Sequence, residues 1–99
     1  MITLSTVSYP PESAKEIGRR FLKMSPTPDY IDVVGPYTVA TVEDGIRAVT
    51  IYRYERARAG EANEAIANLH MAFYGVPGYT YSLQLAAGAR MSMKMMGLT

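Results

Sequence analysis

His70 is the side chain best suited to chemistry, because the sequence contains one histidine and no cysteine. Histidine accepts or releases a proton near neutral pH without any shift of its pKa. At 100° per residue, His70 lies at the edge of an apolar helical stripe that includes Ile66. Asn63 and Tyr74 fall near the same edge. The spacing predicts a pocket between helix and sheet, in which His70 is a general base, Tyr74 donates a hydrogen bond and Asn63 binds the ligand.

A structural interpretation of His70 stands beside the catalytic one. A histidine at the boundary of a core often bonds a backbone carbonyl and takes no part in chemistry. A protein-built metal centre needs several ligands at suitable spacing, and the single histidine has no such partner. The sequence therefore leaves a catalytic and a structural histidine open, and we expect neither a metal nor a cofactor.

Tyrosine dominates the aromatic residues, with eight tyrosines against two phenylalanines and no tryptophan. Tyr52, Tyr54, Tyr79 and Tyr81 lie on predicted strands, where their hydroxyls can reach the rim of an apolar pocket. We take Tyr52, Tyr54 and Tyr81 as candidate ligand-binding residues for an aromatic molecule. The same residues would also suit a dimer interface, because tyrosine combines an apolar ring with a polar end.

Composition excludes several classes of function. Ten Lys and Arg against nine Asp and Glu give a formal charge of +1, which provides no basic surface for nucleic acid. No run of about 18 apolar residues, such as a membrane-spanning helix needs, is present. The first nine residues lack the features of a secretory signal, so a cytoplasmic location is the default expectation. The sequence also lacks a phosphate-binding glycine loop, a nucleophile elbow and an HExxH motif.

The elements that would position these residues follow from hydrophobic periodicity and from turn signals. We predict strands over residues 2–9, 35–42, 46–55 and 79–86, helices over 10–24 and 61–74, and a short terminal helix over 87–96. Residues 29–34 fit a helical turn or a strand, and 56–60 read as a polar loop. Glu43, Asp44 and Gly45 are typical of a hairpin turn. The chain is interpreted as one α+β domain over residues 1–99, with 87–99 as a helical extension.

The predicted central strand carries no charge along the middle of either face. One face presents Val49 and Ile51 between two arginines, and the other presents Ala48 and Thr50 between apolar or aromatic residues. A strand with one solvated side should be polar on that side, so both faces are expected to be covered. Two long helices can cover only one of them. A second copy of the chain is the simplest cover for the other, and we therefore expect a homodimer.

The β-α-β-β-α-β order predicts a ferredoxin-like antiparallel sheet with helices on one face. In size, element order and two-faced central strand, residues 1–86 resemble the dimeric α+β barrel superfamily. That group includes muconolactone-isomerase-like, antibiotic-biosynthesis-monooxygenase-like and EthD-like proteins. The resemblance implies that two sheets pack face to face and that a ligand is held between the sheet and the helices of each protomer. Such folds host both enzymes and sensors.

Two functions follow as expectations. The first is binding of a small hydrophobic or aromatic molecule between helix and sheet, with cofactor-independent oxygenation or isomerisation at His70 and Tyr74. The second is a non-enzymatic assembly or ligand-sensing module, whose tyrosines serve the interface. Met91, Met93, Met95 and Met96 are interpreted as adaptable packing of the terminal segment rather than as copper ligands.

Overall fold

A computed structural model describes residues 1–43 and 45–98. The strands are β1 (Ile2–Tyr9), β2 (Asp32–Thr41), β3 (Gly45–Arg53) and β4 (Thr80–Ala86), and the α-helices are α1 (Ala14–Lys23), α2 (Ala59–Met71) and α3 (Ala89–Met95). One 3-10 turn precedes α1 and another precedes α2. Within the described residues, the element order is that predicted from the sequence.

The four strands form one antiparallel sheet in the order β2-β3-β1-β4. The two central strands pair over their full length, from Ile2 opposite Arg53 to Tyr9 opposite Ile46. This order follows from two β-α-β units whose strands interleave, because each helix carries the chain past one intervening strand. The α+β fold with its antiparallel ferredoxin-like sheet is thus confirmed.

Strand register determines which side chains face the helices. Thr3 pairs with Tyr52 and Ser5 with Thr50, and these residues share a face because side chains alternate along a strand. The core on this face has two clusters. The first comprises Ile31, Tyr52, Tyr54, Ala62 and Ile66, and the second comprises Tyr9, Ile17, Phe73 and Val76. Ala62 and Ile66 are completely buried, as the stripe on α2 predicts.

Two local predictions need correction, and one open choice is resolved. Residues 56–60 are not a polar loop, because a 3-10 turn over Arg56–Arg58 leads directly into α2. Residues 29–34, for which the sequence allows a helical turn or a strand, form a turn that is followed by the start of β2 at Asp32. Phe21, predicted to be buried with Ile17, is 50% exposed. It lines the mouth of a cavity instead of the core.

Two glycines adopt left-handed backbone conformations that the sheet requires. Gly45 has φ +70°, which suits the predicted hairpin turn, although Asp44 of that turn lies outside the described residues. Gly35 has φ +105° and lies where the β2–β3 register shifts between Val34 and Tyr37. A Cβ on Gly35 would lie 2.8 Å from the Val49 carbonyl oxygen. An L-residue is therefore strained there by both conformation and contact.

The second face of the sheet is apolar at its centre. Register places Leu4, Val34, Tyr37, Val39, Val49 and Ile51 on this face, which we call the open face. Tyr37 is 62% exposed and Val39 is 54% exposed. α3 is also largely exposed and includes Met95 at 75%. No helix in the described part of the chain has the length and apolarity to span a membrane.

Candidate functional site

A cavity of about 420 Å³ lies between the helix-facing side of the sheet and the two long helices. Its wall includes Val7 and Ala48 from the sheet, Ile17 from α1, and Leu69 and Phe73 from the α2 region. The polar wall residues are Ser5, Tyr9, Thr27, Thr38, Thr50, Tyr52, His70 and Tyr79. Apart from the titratable ring of His70, no charged side chain of the described residues lines it, so the cavity suits an uncharged, mainly apolar molecule.

His70 lies on the last turn of α2 and is only 5% exposed. Its Nε2 atom is 2.7 Å from the Ser5 hydroxyl oxygen, and its Nδ1 atom is 2.8 Å from the Ile66 carbonyl oxygen. Both His70 and Ser5 line the cavity. Helix α2 thus provides the histidine, and strand β1 provides its hydrogen-bond partner.

These contacts select one tautomer of neutral His70. A carbonyl oxygen only accepts, so Nδ1 carries the proton and donates it to Ile66. Nε2 then carries no proton, and its electron pair accepts the hydrogen bond from the Ser5 hydroxyl. Burial lowers the pKa of His70 below its ordinary value, and the Ile66 carbonyl opposes that shift to a smaller extent. His70 is therefore neutral at pH 7, and it lines the cavity together with Ser5.

Tyr79 provides the second polar group of interest. It lines the 420 Å³ cavity and also a second cavity, which includes Tyr74, Tyr81 and His70 in its wall. The Tyr79 hydroxyl oxygen is buried and has no hydrogen-bond partner among the described residues. Burial raises the pKa of Tyr79 far above its ordinary range, and the Tyr81 and Tyr52 hydroxyls add to this shift. The group is thus a neutral phenol.

The candidate tyrosines Tyr52 and Tyr81 lie near this site. Tyr52 is 7% exposed and lines the 420 Å³ cavity. Its hydroxyl is hydrogen bonded to Thr50, while burial raises its pKa. The Tyr81 ring lies 4.8 Å from the His70 ring and covers it from β4. The structure therefore brings His70, Tyr52 and Tyr81 together around one region.

Asn63 and Tyr54 are joined in a separate network with Thr3. The Thr3 hydroxyl donates to Asn63 Oδ1 at 2.6 Å, and Asn63 Nδ2 donates to the Tyr54 hydroxyl at 2.9 Å. Tyr54 completes the ring by donating to Thr3 at 2.7 Å. Neither Asn63 nor Tyr54 lines the 420 Å³ cavity. Their polar groups are engaged in fastening α2 to the sheet, so the sequence argument placed them too near the site.

Tyr74 is 78% exposed and does not line the cavity between the sheet and the two long helices. Its backbone carbonyl accepts a 2.7 Å hydrogen bond from Arg20, and its side chain lines the second cavity. α2 ends at Met71, three residues before Tyr74, so the helical wheel no longer applies there. Tyr74 therefore shares with His70 the wall of the second cavity, but not the wall of the cavity between the sheet and the two long helices.

Sequence reasoning did not identify Ser5. The only signal was that Thr3 and Ser5 are small polar residues at alternate positions of a strand, among apolar neighbours. Such a pattern fits a solvated face as well as a buried polar one. Both residues are 1% exposed, because each finds a polar partner on α2. Among the described residues, no group of three or more acidic, histidine or cysteine side chains could hold a metal ion.

Comparison with known proteins gives no assignment: the chain matches no family model and no curated protein.

Proposed function

We propose that this protein binds a small, uncharged, hydrophobic or aromatic molecule in the 420 Å³ cavity between sheet and helices. The observation that carries the proposal is the position of His70, a buried neutral histidine that lines an apolar cavity together with its hydrogen-bond partner Ser5. The volume is in the range of small-molecule sites. The apolar part of such a wall provides affinity, and its few polar groups orient the ligand.

The chemistry that fits this arrangement is cofactor-independent proton transfer, as in an isomerase or a cofactor-free oxygenase. Nε2 of His70 accepts a proton from the bound molecule, either directly or through the Ser5 hydroxyl. In the second route, Ser5 passes its own proton to Nε2 as it takes one from the ligand. The Ile66 carbonyl stabilises the resulting imidazolium, because it already accepts the Nδ1 proton.

The functional unit in this proposal is a homodimer joined through the open face. Leu4, Val34 and Ile51 form an apolar row across the sheet, and Tyr37 and Val49 continue it in the next row. An apolar sheet face of this kind is normally covered. A second copy presents the same surface and satisfies the two-fold symmetry of a dimer interface. The cavities lie on the other face and stay accessible.

A cavity-filling variant tests the ligand proposal. Gly18 lines the cavity, and an added Cβ there meets no atom within 4 Å. Gly18→Leu should fold and should lose most binding of phenylnaphthylamine, an uncharged dye that fluoresces in apolar surroundings. Gly60→Leu is the matched control, because Gly60 is also an α-helical glycine with free space but does not line the cavity. Equal dye binding by both variants would overturn the proposal.

Native mass spectrometry of the purified protein tests the assembly at the same time. A dimer that carries additional mass would support both the interface and the ligand site. A monomer would contradict the proposed interface.

The second candidate function is an assembly or ligand-sensing module without catalysis. The observation in its favour is that both ring nitrogens of His70 already have partners within the protein, Ser5 and Ile66. In this case His70 fastens α2 to β1, as the Thr3 network does further along the sheet. A folded His70→Gln variant that retains dye binding and any turnover found for the wild type would favour this candidate.

A further inference from the structure

Tyrosine hydroxyls on the helix-facing side of the sheet differ in whether they have a hydrogen-bond partner. The Tyr54 hydroxyl bonds both Thr3 and Asn63, and the Tyr52 hydroxyl is bonded to Thr50. The Tyr79 hydroxyl is buried and unpaired within the described residues. A buried donor without a partner costs about 1–3 kcal/mol, so such a group in a cavity wall calls for an explanation.

The partner of the Tyr79 hydroxyl must be an acceptor. Tyr79 keeps its proton at neutral pH, because burial disfavours the phenolate. Among residues 1–43 and 45–98, no Asp, Glu, Lys or Arg side chain lines the cavity, so none of these residues would compensate a charged acceptor. An uncharged oxygen on an otherwise apolar molecule meets both conditions, and a carbonyl is the simplest group that accepts without having to donate.

We propose that the ligand of this cavity is an uncharged, largely apolar ketone or related carbonyl compound, whose carbonyl oxygen accepts a hydrogen bond from Tyr79. This inference rests on the proposed function and names its substrate class. Phe73 and Tyr79 stack with ring centroids 5.2 Å apart, which fixes the tyrosine in the wall shared by both cavities. The hydroxyl is thus held in place before the ligand enters.

Carbonyl binding at Tyr79 also specifies the proton that His70 would remove. Hydrogen bonding to the carbonyl oxygen acidifies the carbon next to it, because the developing enolate charge falls on that oxygen. The α carbon–hydrogen bond breaks, its proton goes to Nε2 of His70, and its electron pair forms the carbon–carbon double bond of the enolate. Where a further carbon–carbon double bond is conjugated with the enolate, return of the proton to the far carbon of that system completes an isomerisation, with no other reactant required.

The probes that test this inference are β-tetralone and tetralin, two fused-ring molecules of nearly equal size that differ in one carbonyl. Wild-type protein should bind β-tetralone about tenfold more tightly than tetralin, the value expected for one buried hydrogen bond. Tyr79→Phe should remove this preference and leave tetralin binding intact, which also shows that the variant is folded. Tyr52→Phe is the matched control and should keep the preference, because that hydroxyl already has a partner.

Deuterium uptake gives a second readout. In heavy water, the wild type should exchange the α hydrogens of β-tetralone faster than buffer does, and both Tyr79→Phe and His70→Gln should lose that acceleration. Tetralin binding without any preference for β-tetralone, or a preference that survives in Tyr79→Phe, would overturn the role of Tyr79 and leave the apolar site intact. Absence of binding by both probes would overturn the proposed function itself.

Discussion

The Ser5 hydroxyl and the His70 imidazole, 65 residues apart in sequence, meet in a 2.7 Å hydrogen bond that joins the floor of the sheet to the last turn of α2. The Ile66 carbonyl holds the other ring nitrogen one helical turn earlier. Together these contacts fix both the orientation and the tautomer of the ring. Both residues line an apolar cavity, and the Ser5 hydroxyl can relay a proton to the basic Nε2 atom.

Removal of the Ser5 hydroxyl should destabilise the protein. Ser5→Ala leaves Nε2 of His70 buried without its donor, and we expect a loss of about 1–3 kcal/mol in the free energy of unfolding. Urea denaturation measures the change. Ser82→Ala is the control, because Ser82 is exposed on β4 and should have little effect. A Ser5→Ala variant as stable as the control would show that the hydrogen bond contributes nothing to the fold.

His70 should make the stability of the protein depend on pH. Its folded-state pKa is lowered by burial, so the unfolded chain binds a proton more readily. Stability is therefore fully present above the ordinary pKa of 6.5 and is lost as the pH falls through that value toward the lower folded pKa. Thermal melting in steps from pH 8 to about pH 5 measures this slope.

His70→Gln should flatten the slope in that range. Glu16 and Glu61, whose pKa values are lowered by arginine partners, lose their contributions only at more acidic pH, because their ordinary pKa is 4.5. A slope between pH 8 and 5 that is identical in wild type and His70→Gln would contradict the assignment to His70.

Ile66 should be among the costliest core positions to truncate. It is completely buried in α2 and packs in the cluster with Tyr52 and Tyr54. Ile66→Ala should lower the free energy of unfolding by about 2–5 kcal/mol, through lost burial and the void that remains. Leu22→Ala, at a position that is 85% exposed, should change it by less than about 0.5 kcal/mol. Chemical denaturation compares the two, and similar costs would refute the described core.

Charge substitutions on the two faces of β3 should have different consequences. Val49 lies on the open face, so Val49→Lys should give a monomer that still binds phenylnaphthylamine, because a lysine buried in the interface would be unpaired. Ala48 lines the cavity, so Ala48→Lys should impair dye binding. Light scattering and dye titration separate the effects. A Val49→Lys variant that remains dimeric would exclude the open face as the interface.

Glycine variants should separate backbone strain from helix propensity. Gly35→Ala places a Cβ against the Val49 carbonyl at a positive φ, and we expect a loss of about 1–3 kcal/mol. Gly18→Ala lies in a helix with free space and should gain about 0.5–1 kcal/mol. Thermal melting measures both. Stability changes of the same sign would contradict this distinction.

The sequence by itself determined the order of elements and the antiparallel α+β sheet. Each helix has its own apolar stripe, such as Ala62 and Ile66 on α2, and each strand has its own alternation and turn signals. These are local properties, because periodicity and turn chemistry depend on neighbours in the chain. The starts of β2 and α2 were less predictable, since the short segments over residues 29–34 and 56–60 carry weak periodicity.

Only the tertiary structure decided the composition of the site. Sequence spacing predicts His70 at the edge of the α2 stripe with Asn63 and Tyr74 beside it, and the structure brings Tyr74 to His70 in the wall of the second cavity. Asn63 is instead tied to Thr3, and Tyr74 follows the end of the helix. Register between strands far apart in sequence determines which face of β3 meets the helices. It therefore also determines that Ser5 and Tyr79 reach the cavity. A one-residue shift would reverse every side chain, and no local pattern fixes that choice when both faces are apolar at their centre.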